Sequence, residues 1–359
     1  MKIVIAPDSF KGCLSSAEVA AAISLGVKDV CPTAEVVEVT VADGGEGTVQ
    51  ALCQKSPAGS SSRQSGAASI VSAPVSDPLG RRIRAEYGII GRTAIIESAA
   101  ACGLTLLSPG ERNPVKATTR GLGEMILDAI GRGCTEFLIG LGGSATNDGG
   151  RGMVETPGLL EAARGLKFTI ACDVDTPFIG PQGASRVFGP QKGASVQDVE
   201  ILEERLREYS AKIQEDTGID VRNMKGAGAA GGLGGAFKAY LGAELRRGVD
   251  MILDFIGFDR IISGASLVIT GEGCSDFQTP KGKTPAGVLE RAGKQGIPSV
   301  LLSGAVKRCS ELDAMGFVEI RAATPPDMPL SRALEPATAS HNLRKATNEI
   351  IKRVIPNMI

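Results

Sequence analysis

The residues best suited to carry out chemistry lie in a glycine-rich segment, GLGGSATNDGG, at residues 140–150. Ser144, Thr146, Asn147 and Asp148 supply hydroxyl, amide and carboxylate groups there, and the glycines allow a ligand to approach the backbone closely. A short apolar run directly before the segment indicates a buried strand. Because open α/β sheets bind ligands where their strands end, the segment predicts a ligand site.

Two more acidic side chains follow the first two predicted strands, residues 2–6 and 35–41. Asp8 comes after the first strand and Asp43 after the second, and Lys11 lies close to Asp8 in the sequence. An aspartate in this position is often only a helix cap. The carboxyl ends of parallel strands meet at one edge of a sheet, however, so the pattern favours a shared site that contains both aspartates.

A third polar segment follows the predicted strand at residues 267–270. It contains Glu272, Asp276, Gln278 and Lys283 in a loop punctuated by glycine and proline. Taken alone, this loop is as consistent with a solvated turn as with a site. Its position at a strand end favours the site.

Together, these strand-end residues are the types that phosphoryl transfer requires. Carboxylates hold magnesium, lysines neutralise developing charge, and glycine amides cradle phosphate. One carboxylate must also accept the proton of the attacking hydroxyl. The single histidine, His341, falls on the last predicted helix, so histidine catalysis and histidine metal sites are not expected.

The bulk composition narrows the class of protein. The chain has 359 residues, enough for two domains, with 39 basic against 40 acidic residues and 4% aromatic residues. This balance argues against a nucleic-acid partner. The eight cysteines include no Cys-x-x-Cys pair, and no apolar stretch suits a signal peptide or a membrane span. We therefore expect a cytoplasmic protein without a membrane partner.

The order of predicted elements indicates the fold. Strands and helices alternate at both ends of the chain, whereas short strands joined by turns occupy the region after residue 70, including the hairpin signal at residues 77–80. We predict an α/β fold with a doubly wound, mostly parallel sheet built from both chain ends and a second α/β domain inserted between them. The predicted helices include residues 121–131, 196–216, 236–245 and 330–354.

Three segments partly match nucleotide-binding fingerprints. Gly282-Lys-Thr284 lacks the first glycine of a Walker A loop, because Phe277 stands in its place. The fingerprint at residues 226–231 has no predicted strand before it. The looser match at residues 140–145 does follow a strand, so an NAD-dependent Rossmann dehydrogenase stays open as an alternative.

Six motifs, in order along nearly the whole chain, resemble those of the bacterial class I glycerate kinases. They are APDSFKG at residues 6–12, ADGGEG at 42–47, GGSATNDGG at 142–150, VFGPQKGA at 187–194, GAGAAGGLG at 226–234 and ITGEG at 269–273. The resemblance implies an ATP-dependent kinase of D-glycerate, acting at the 2-hydroxyl to give 2-phosphoglycerate. It also implies a flavodoxin-like domain, residues 1–60 with 262–359, and a mixed-sheet, restriction-enzyme-like domain, residues 61–261.

Roles for the matching residues are hypotheses built on this resemblance. Asp43 and Asp148 are expected to bind Mg²⁺ or to act as the base. Lys11 and Lys283 are expected to contact the ATP phosphates or the glycerate carboxylate. The expected substrate-binding residues are Asp8, Ser9, Lys11, Glu272, Asp276 and Gln278. The expected nucleotide-binding residues are Gly142, Gly143, Ser144, Thr146, Asn147, Gly228 and Gly231. Glycerate and ATP are the expected partners, with a homodimer as an open oligomeric state.

The chain also departs from the family pattern. Cys274 stands where the family usually has arginine, Arg151 replaces a small residue, and the stretch from residue 153 to 167 is shorter than usual. These differences leave a third hypothesis open, in which the protein is a relative that binds ligand without turnover.

Overall fold

The computed structural model describes residues 1–53 and 68–355. These residues form two compact units: the first contains residues 1–43 and 252–355, and the second contains residues 44–53 and 68–251. The predicted domain boundary at residues 60–61 lies outside the described residues. That the two predicted domains, residues 1–60 with 262–359 and residues 61–261, fold as independent domains stays a prediction.

The first unit is built on a parallel five-stranded sheet with the strand order β13-β11-β9-β1-β2, numbered along the chain. The strands are β1 (Lys2–Ile5), β2 (Glu35–Glu38), β9 (Leu267–Thr270), β11 (Ser299–Ser303) and β13 (Glu319–Ala322). Both faces of the central strands are buried, as their continuous apolar runs predict. Counting only these strands, the order is 2-1-3-4-5, which is the flavodoxin-like arrangement. The predicted fold class is confirmed.

Helices cover this sheet. Helix α1 (Ser16–Val30) begins with a capping box, in which Ser15 and Glu18 satisfy each other's backbone amides. It packs closely on the last helix, because a Cβ atom at Gly26 would lie 2.6 Å from Thr347 Cβ. The remaining elements of this unit are α11 (Phe258–Ile262), β10 (Cys274–Ser275), α12 (Thr284–Lys294), β12 (Ala305–Val306), α13 (Ser310–Asp313), α14 (Leu330–Ala333) and α15 (Pro336–Val354).

The prediction of one closing helix over residues 330–354 is wrong. The structure has two helices, α14 and α15, separated at Leu334 and Glu335. Pro336 explains the break, since proline disfavours helical geometry in the residue before it and suits the first position of a new helix.

The second unit contains a mixed six-stranded sheet in the order β3-β4-β5-β6-β7-β8. Its first three strands pair antiparallel and the others pair parallel. Its strands are β3 (Ala68–Ser76), β4 (Arg82–Ile90), β5 (Thr93–Glu97), β6 (Glu136–Gly140), β7 (Lys167–Ala171) and β8 (Glu244–Arg246). The predicted hairpin turn is present, with Asp77 Oδ1 accepting hydrogen bonds from the amides of Leu79 and Arg81 at 2.8 and 2.9 Å.

The helices of the second unit are α2 (Thr48–Cys53), α3 (Ala99–Cys102), α4 (Arg120–Gly131), α5 (Arg151–Val154), α6 (Leu159–Ala162), α7 (Ala184–Phe188), α8 (Val196–Thr217) and α9 (Ala229–Leu241), and α10 (Gly248–Phe255) follows. The main core of this unit is centred on β4 to β7, whereas apolar residues of α7 and α8 pack in a separate cluster with Phe178. The prediction of a helix over residues 236–245 is wrong at both ends. Helix α9 begins at Ala229 and ends at Leu241, because Gly242 caps it with a φ of 61°, and β8 then pairs with β7. Within the described residues, no helix is long and apolar enough to cross a membrane.

Candidate functional site

In the first unit, a cavity of about 840 Å³ opens along the carboxyl edge of the parallel sheet. Residues that follow β1, β2, β9, β11 and β13 all line it. Six of the predicted site residues, each from a strand-end loop or the segment after it, are among them: Asp8, Ser9, Lys11, Asp43, Glu272 and Lys283. The structure therefore brings the strand-end charges of this unit into one cavity.

Asp8 is held in place by hydrogen bonds to both carboxylate oxygens. Oδ1 accepts from the Ser9 amide at 2.6 Å, and Oδ2 accepts from the Thr284 hydroxyl at 2.7 Å. Burial, and after it the nearby charge of Asp43, raise the pKa of Asp8 to about 6, although the hydrogen bonds from Thr284 and Ser9 lower it. Asp8 is thus a carboxyl group that can exchange a proton near neutral pH.

Glu272 organises the next part of the cavity, and the residue is only 8% exposed. Its Oε1 accepts hydrogen bonds from the hydroxyls of Ser275 and Thr279 at 3.0 and 2.6 Å. The ammonium group of Lys283 lies 3.2 Å from Glu272 Oε2. Because Glu272 is fixed on one side by two hydroxyls, its other oxygen can hold the Lys283 ammonium at a defined position.

The other predicted residues of this unit lie around that centre. Ser9 lines the cavity beside Asp8, and Asp276 Oδ1 lies 3.8 Å from the Lys283 ammonium. Gln278 is exposed and does not line the cavity, and only its backbone is engaged here, donating to Asp276 Oδ1 at 2.9 Å. Gln278 is therefore the least directly placed of the predicted substrate-binding residues.

In the second unit, the segment after β6 is organised by Asp148. Its Oδ2 accepts from the Thr119 amide and hydroxyl at 2.8 and 2.9 Å and from the Gly152 amide at 3.1 Å. Its Oδ1 accepts from the Gly150 amide at 3.0 Å. Burial raises the pKa of the Asp148 carboxyl, and these hydrogen bonds oppose that rise. The carboxylate thus joins the glycine-rich segment to the start of α4.

Lys192 holds the same segment from the other side. Its side chain is 2% exposed, and its ammonium donates to Ser144 Oγ at 2.9 Å and to the Thr146 carbonyl at 2.6 Å. Burial lowers the pKa of Lys192 to about 7, while the charge of Asp148 raises it. A buried lysine with these partners fixes the conformation of residues 144–146.

The predicted nucleotide-binding residues of this unit differ in exposure. Gly142 and Gly143 are exposed, whereas Ser144, Thr146 and Asn147 are buried. The Asn147 amide nitrogen donates to Ser185 Oγ at 2.9 Å, but its Oδ1 and the Thr146 hydroxyl are buried without a hydrogen-bond partner. Unsatisfied buried polar atoms are rare in native proteins, so these two atoms are available to a ligand, an ion or a water molecule.

Gly228 and Gly231 contribute close packing. Both are buried, and the Gly149 amide donates to the Gly231 carbonyl at 2.9 Å. A Cβ atom at Gly231, whose φ is +74°, would collide with the Thr146 carbonyl. The second glycine-rich segment therefore supports the first one, and a larger residue at position 231 would displace it.

The carboxylates of the cavity could bind Mg²⁺ only if a substrate supplied some of the other ligands. Within residues 1–53 and 68–355, no group of three or more His, Cys, Asp or Glu side chains is arranged to hold a metal ion. Mg²⁺ commonly uses one or two carboxylates and completes its shell with substrate phosphates and water. Asp43 fits that pattern as a single carboxylate ligand, since it lines the cavity and its charge is close enough to Asp8 to raise the pKa of that carboxyl.

Sequence reasoning missed three residues that position the charged groups, namely Thr284, Thr119 and Lys192. Each one acts through a contact between positions that are far apart in the sequence, such as the 276-residue separation between Thr284 and Asp8. Lys192 carried one usable signal, because it lies in the VFGPQKGA motif. No comparable local signal marks Thr119 or Thr284.

The dehydrogenase alternative is not favoured by this geometry. A dinucleotide fingerprint needs a helix that begins within the glycine-rich turn. Residues 141–150 instead lead into the four-residue helix α5, and residues 226–231 follow a turn rather than a strand.

The fold and its strand-end groups define the class: an α/β protein of flavodoxin-like strand order with charged groups gathered at the carboxyl edge of its parallel sheet. More specifically, the chain belongs to the glycerate kinase family, whose model matches residues 3–161 and 154–355. The two matched segments meet inside the stretch from residue 153 to 167 that is predicted to be shortened.

Individual relatives agree with this membership. The chain is 41% identical to glycerate kinase of Bacillus subtilis (strain 168), with 94% of each chain covered. It is 41% identical to glycerate 2-kinase of Escherichia coli (strain K12), covering 85% of this chain and 86% of the relative. A crystal structure of a Salmonella typhimurium LT2 protein assigned as glycerate kinase 2 superposes with a TM-score of 0.86, at 39% identity over 99% of both chains.

Proposed function

We propose that this protein is an ATP-dependent kinase that phosphorylates D-glycerate at its 2-hydroxyl, giving 2-phosphoglycerate and ADP. The observation that carries the proposal is the single cavity lined by Asp8, Asp43, Glu272, Lys11 and Lys283. Phosphoryl transfer needs carboxylates and ammonium groups together. Relatives named glycerate kinase and glycerate 2-kinase support the choice of acceptor.

Asp8 is the best supported base for the attacking hydroxyl. Its pKa of about 6 keeps it mostly ionised at neutral pH while leaving it basic enough to accept a proton. Its hydrogen bond from Thr284 fixes the carboxylate plane, so that one oxygen keeps a lone pair for the substrate. In this proposal the proton of the glycerate hydroxyl moves to Asp8 as the oxygen attacks the γ-phosphorus.

The sequence predicts both Asp43 and Asp148 as magnesium ligands or bases, and their support differs. Asp43 lines the cavity beside Asp8, as a magnesium ligand should. The Asp148 carboxylate already accepts four hydrogen bonds, so we propose that its main contribution is to order residues 142–150. When bound to ATP, Mg²⁺ neutralises phosphate charge and favours departure of ADP.

The lysines supply the remaining positive charge. We propose that Lys283, held at 3.2 Å by Glu272, contacts the transferred phosphoryl group. Lys11 is exposed at the cavity wall and can meet the glycerate carboxylate or a phosphate. Ser9 and Asp276 would complete the substrate contacts. Nucleotide contact by Gly142, Gly143, Ser144, Thr146, Asn147, Gly228 and Gly231 of the second unit stays a prediction from the sequence.

We propose that the reaction takes place in the cytoplasm and that the partners of the protein are its small-molecule substrates. All eight cysteines have free thiols, which suits a reducing compartment.

A coupled assay for ADP with D-glycerate, ATP and Mg²⁺ tests the function, and phosphorus NMR of the product assigns the hydroxyl. Turnover that depends on D-glycerate and a 2-phosphate product are expected. ATP binding without turnover would favour the hypothesis of a relative that binds ligand without catalysis. Saturable NAD binding would favour the hypothesis of an NAD-dependent dehydrogenase.

A further inference from the structure

The cavity of the first unit is larger than its proposed acceptor requires. Its volume of about 840 Å³ falls in the range of pockets that enclose drug-sized ligands, and a three-carbon acid fills a small part of it. The strand order shows how the space is laid out. From β1 to β13 there are three inter-strand steps, or about 14 Å at roughly 4.8 Å each, along the sheet edge.

The two ends of this cavity differ in chemistry. The end at β1 and β9 carries the charged residues described above. The end at β13 and α14, which we call the apolar arm, is lined by Ala323, Pro325, Met328, Leu330, Ala333 and Leu334. Between residues 322 and 342, all of them described, no cavity-lining residue carries a charge.

The apolar arm also leaves large hydrophobic side chains open to solvent. Leu330 is 73% exposed and Leu334 is 43% exposed, although both line the same cavity. Clustered exposed apolar side chains beside a polar group usually mark a ligand surface. A ligand that fits both ends has a polyanionic part and a flat apolar part.

We propose that the apolar arm binds the nucleobase of ATP, with the phosphates extending along the sheet edge toward Lys283 and Lys11. This inference rests on the proposed kinase function and deepens it by locating the base. Met328 can contact an aromatic ring through its thioether. The Asn342 carboxamide, which donates only to that sulfur at 3.4 Å, can turn to the polar edge of the base.

Direct titration with ADP tests the proposal without any turnover. Leu334→Asp places a charge in the apolar arm, and Ala333→Trp fills it. Both variants should weaken ADP binding at least tenfold and raise the KM for ATP similarly, while the KM for D-glycerate stays within twofold. Leu25→Asp is the matched control, because Leu25 is 52% exposed on α1 outside the cavity, and it should change neither quantity.

The outcomes separate the subsite from the function. ADP binding that both variants weaken supports the subsite even if the parent shows no glycerate-dependent turnover, which would be a failure of the proposed function alone. Folded variants that bind ADP within twofold of the parent overturn the subsite, and so does a parent that binds no ADP. A raised KM for D-glycerate with unchanged ADP binding also overturns it. If Ala333→Trp does not fold, ADP binding by Leu334→Asp decides between these outcomes, because Leu334 is partly exposed.

Discussion

The hydroxyl of Thr284 donates a 2.7 Å hydrogen bond to Asp8 Oδ2 and thereby joins the loop after β1 to the first residue of α12. The neighbouring residue, Lys283, is held by Glu272 from the loop after β9. One turn of chain therefore positions an acid and an ammonium group together. A change at Thr284 should move both groups, even though its own hydroxyl is chemically inert.

Asp8→Asn should lower kcat at least about 100-fold, which is the usual loss for a general base. In the parent, kcat/KM should fall about tenfold per pH unit below about 6, where Asp8 of the free enzyme becomes protonated. Initial rates between pH 5 and 8 check this. A parent profile that is flat through pH 6 would contradict the role of Asp8.

The same pKa predicts a stability difference. The pKa of Asp8 in the folded state lies above its ordinary value of 3.8, so the folded protein binds the Asp8 proton more tightly than the unfolded chain does. This tighter binding adds to the free energy of unfolding in full below pH 3.8, and the contribution is lost as the pH rises through about 6. Urea unfolding of the parent and Asp8→Asn from pH 4 to 8 should therefore show the parent losing stability relative to the variant up to about pH 6, with a constant difference above it.

Lys283→Met should reduce kcat/KM for ATP by roughly 100-fold, since it removes a charge aimed at the phosphates. Lys283→Arg should recover part of the loss. Lys281→Met serves as control, because Lys281 is exposed in the same loop and contacts the Phe277 ring. Steady-state kinetics measure the effect, and equal losses in both methionine variants would argue against a specific role for Lys283.

Lys192→Met should raise the KM for ATP about tenfold through disorder of residues 144–146, and Lys192→Arg should not rescue it in so closed a site. The stability signature is distinct. The pKa of Lys192 is lowered from 10.5 to about 7 in the folded protein, so the unfolded chain binds this proton more tightly. The free energy of unfolding of the parent should therefore rise relative to that of Lys192→Met between about pH 7 and pH 10.5. Unfolding from pH 6.5 to 10 tests this, with the exposed Lys225→Met as control. A pH-independent difference would refute it.

Cys274→Arg restores the residue that the family usually has and should lower the KM for D-glycerate about fivefold, because Cys274 lines the charged cavity and arginine pairs well with carboxylates. Cys309→Arg, outside the cavity, should have no effect. An unchanged KM in Cys274→Arg would show that the cysteine does not limit substrate affinity.

Local signals predicted much of the fold. The strand at residues 267–270 and the hairpin turn at residues 77–80 match the structure, because both depend on neighbouring residues. The three-residue strand β8 was missed, since Glu244-Leu-Arg246 has no distinctive pattern and is a strand only through pairing with β7.

In the candidate site, too, local sequence signals predicted some features, whereas contacts between distant segments could not be predicted. Strand-end position predicts that Asp8 and Asp43 share an edge, and they line one cavity. The four hydrogen bonds to Asp148 and the burial of Lys192 depend on contacts between distant segments. No spacing rule in a single sequence reveals those contacts.

The central claim is tested most directly by ADP release from ATP and Mg²⁺ with and without D-glycerate, in the parent, in Asp43→Asn and in Asp148→Ala. We predict glycerate-dependent turnover in the parent and a loss of at least 100-fold in folded Asp43→Asn. Asp148→Ala should lose activity mainly through a raised KM for ATP. No glycerate-dependent ADP release by a folded parent that binds ATP would contradict the account.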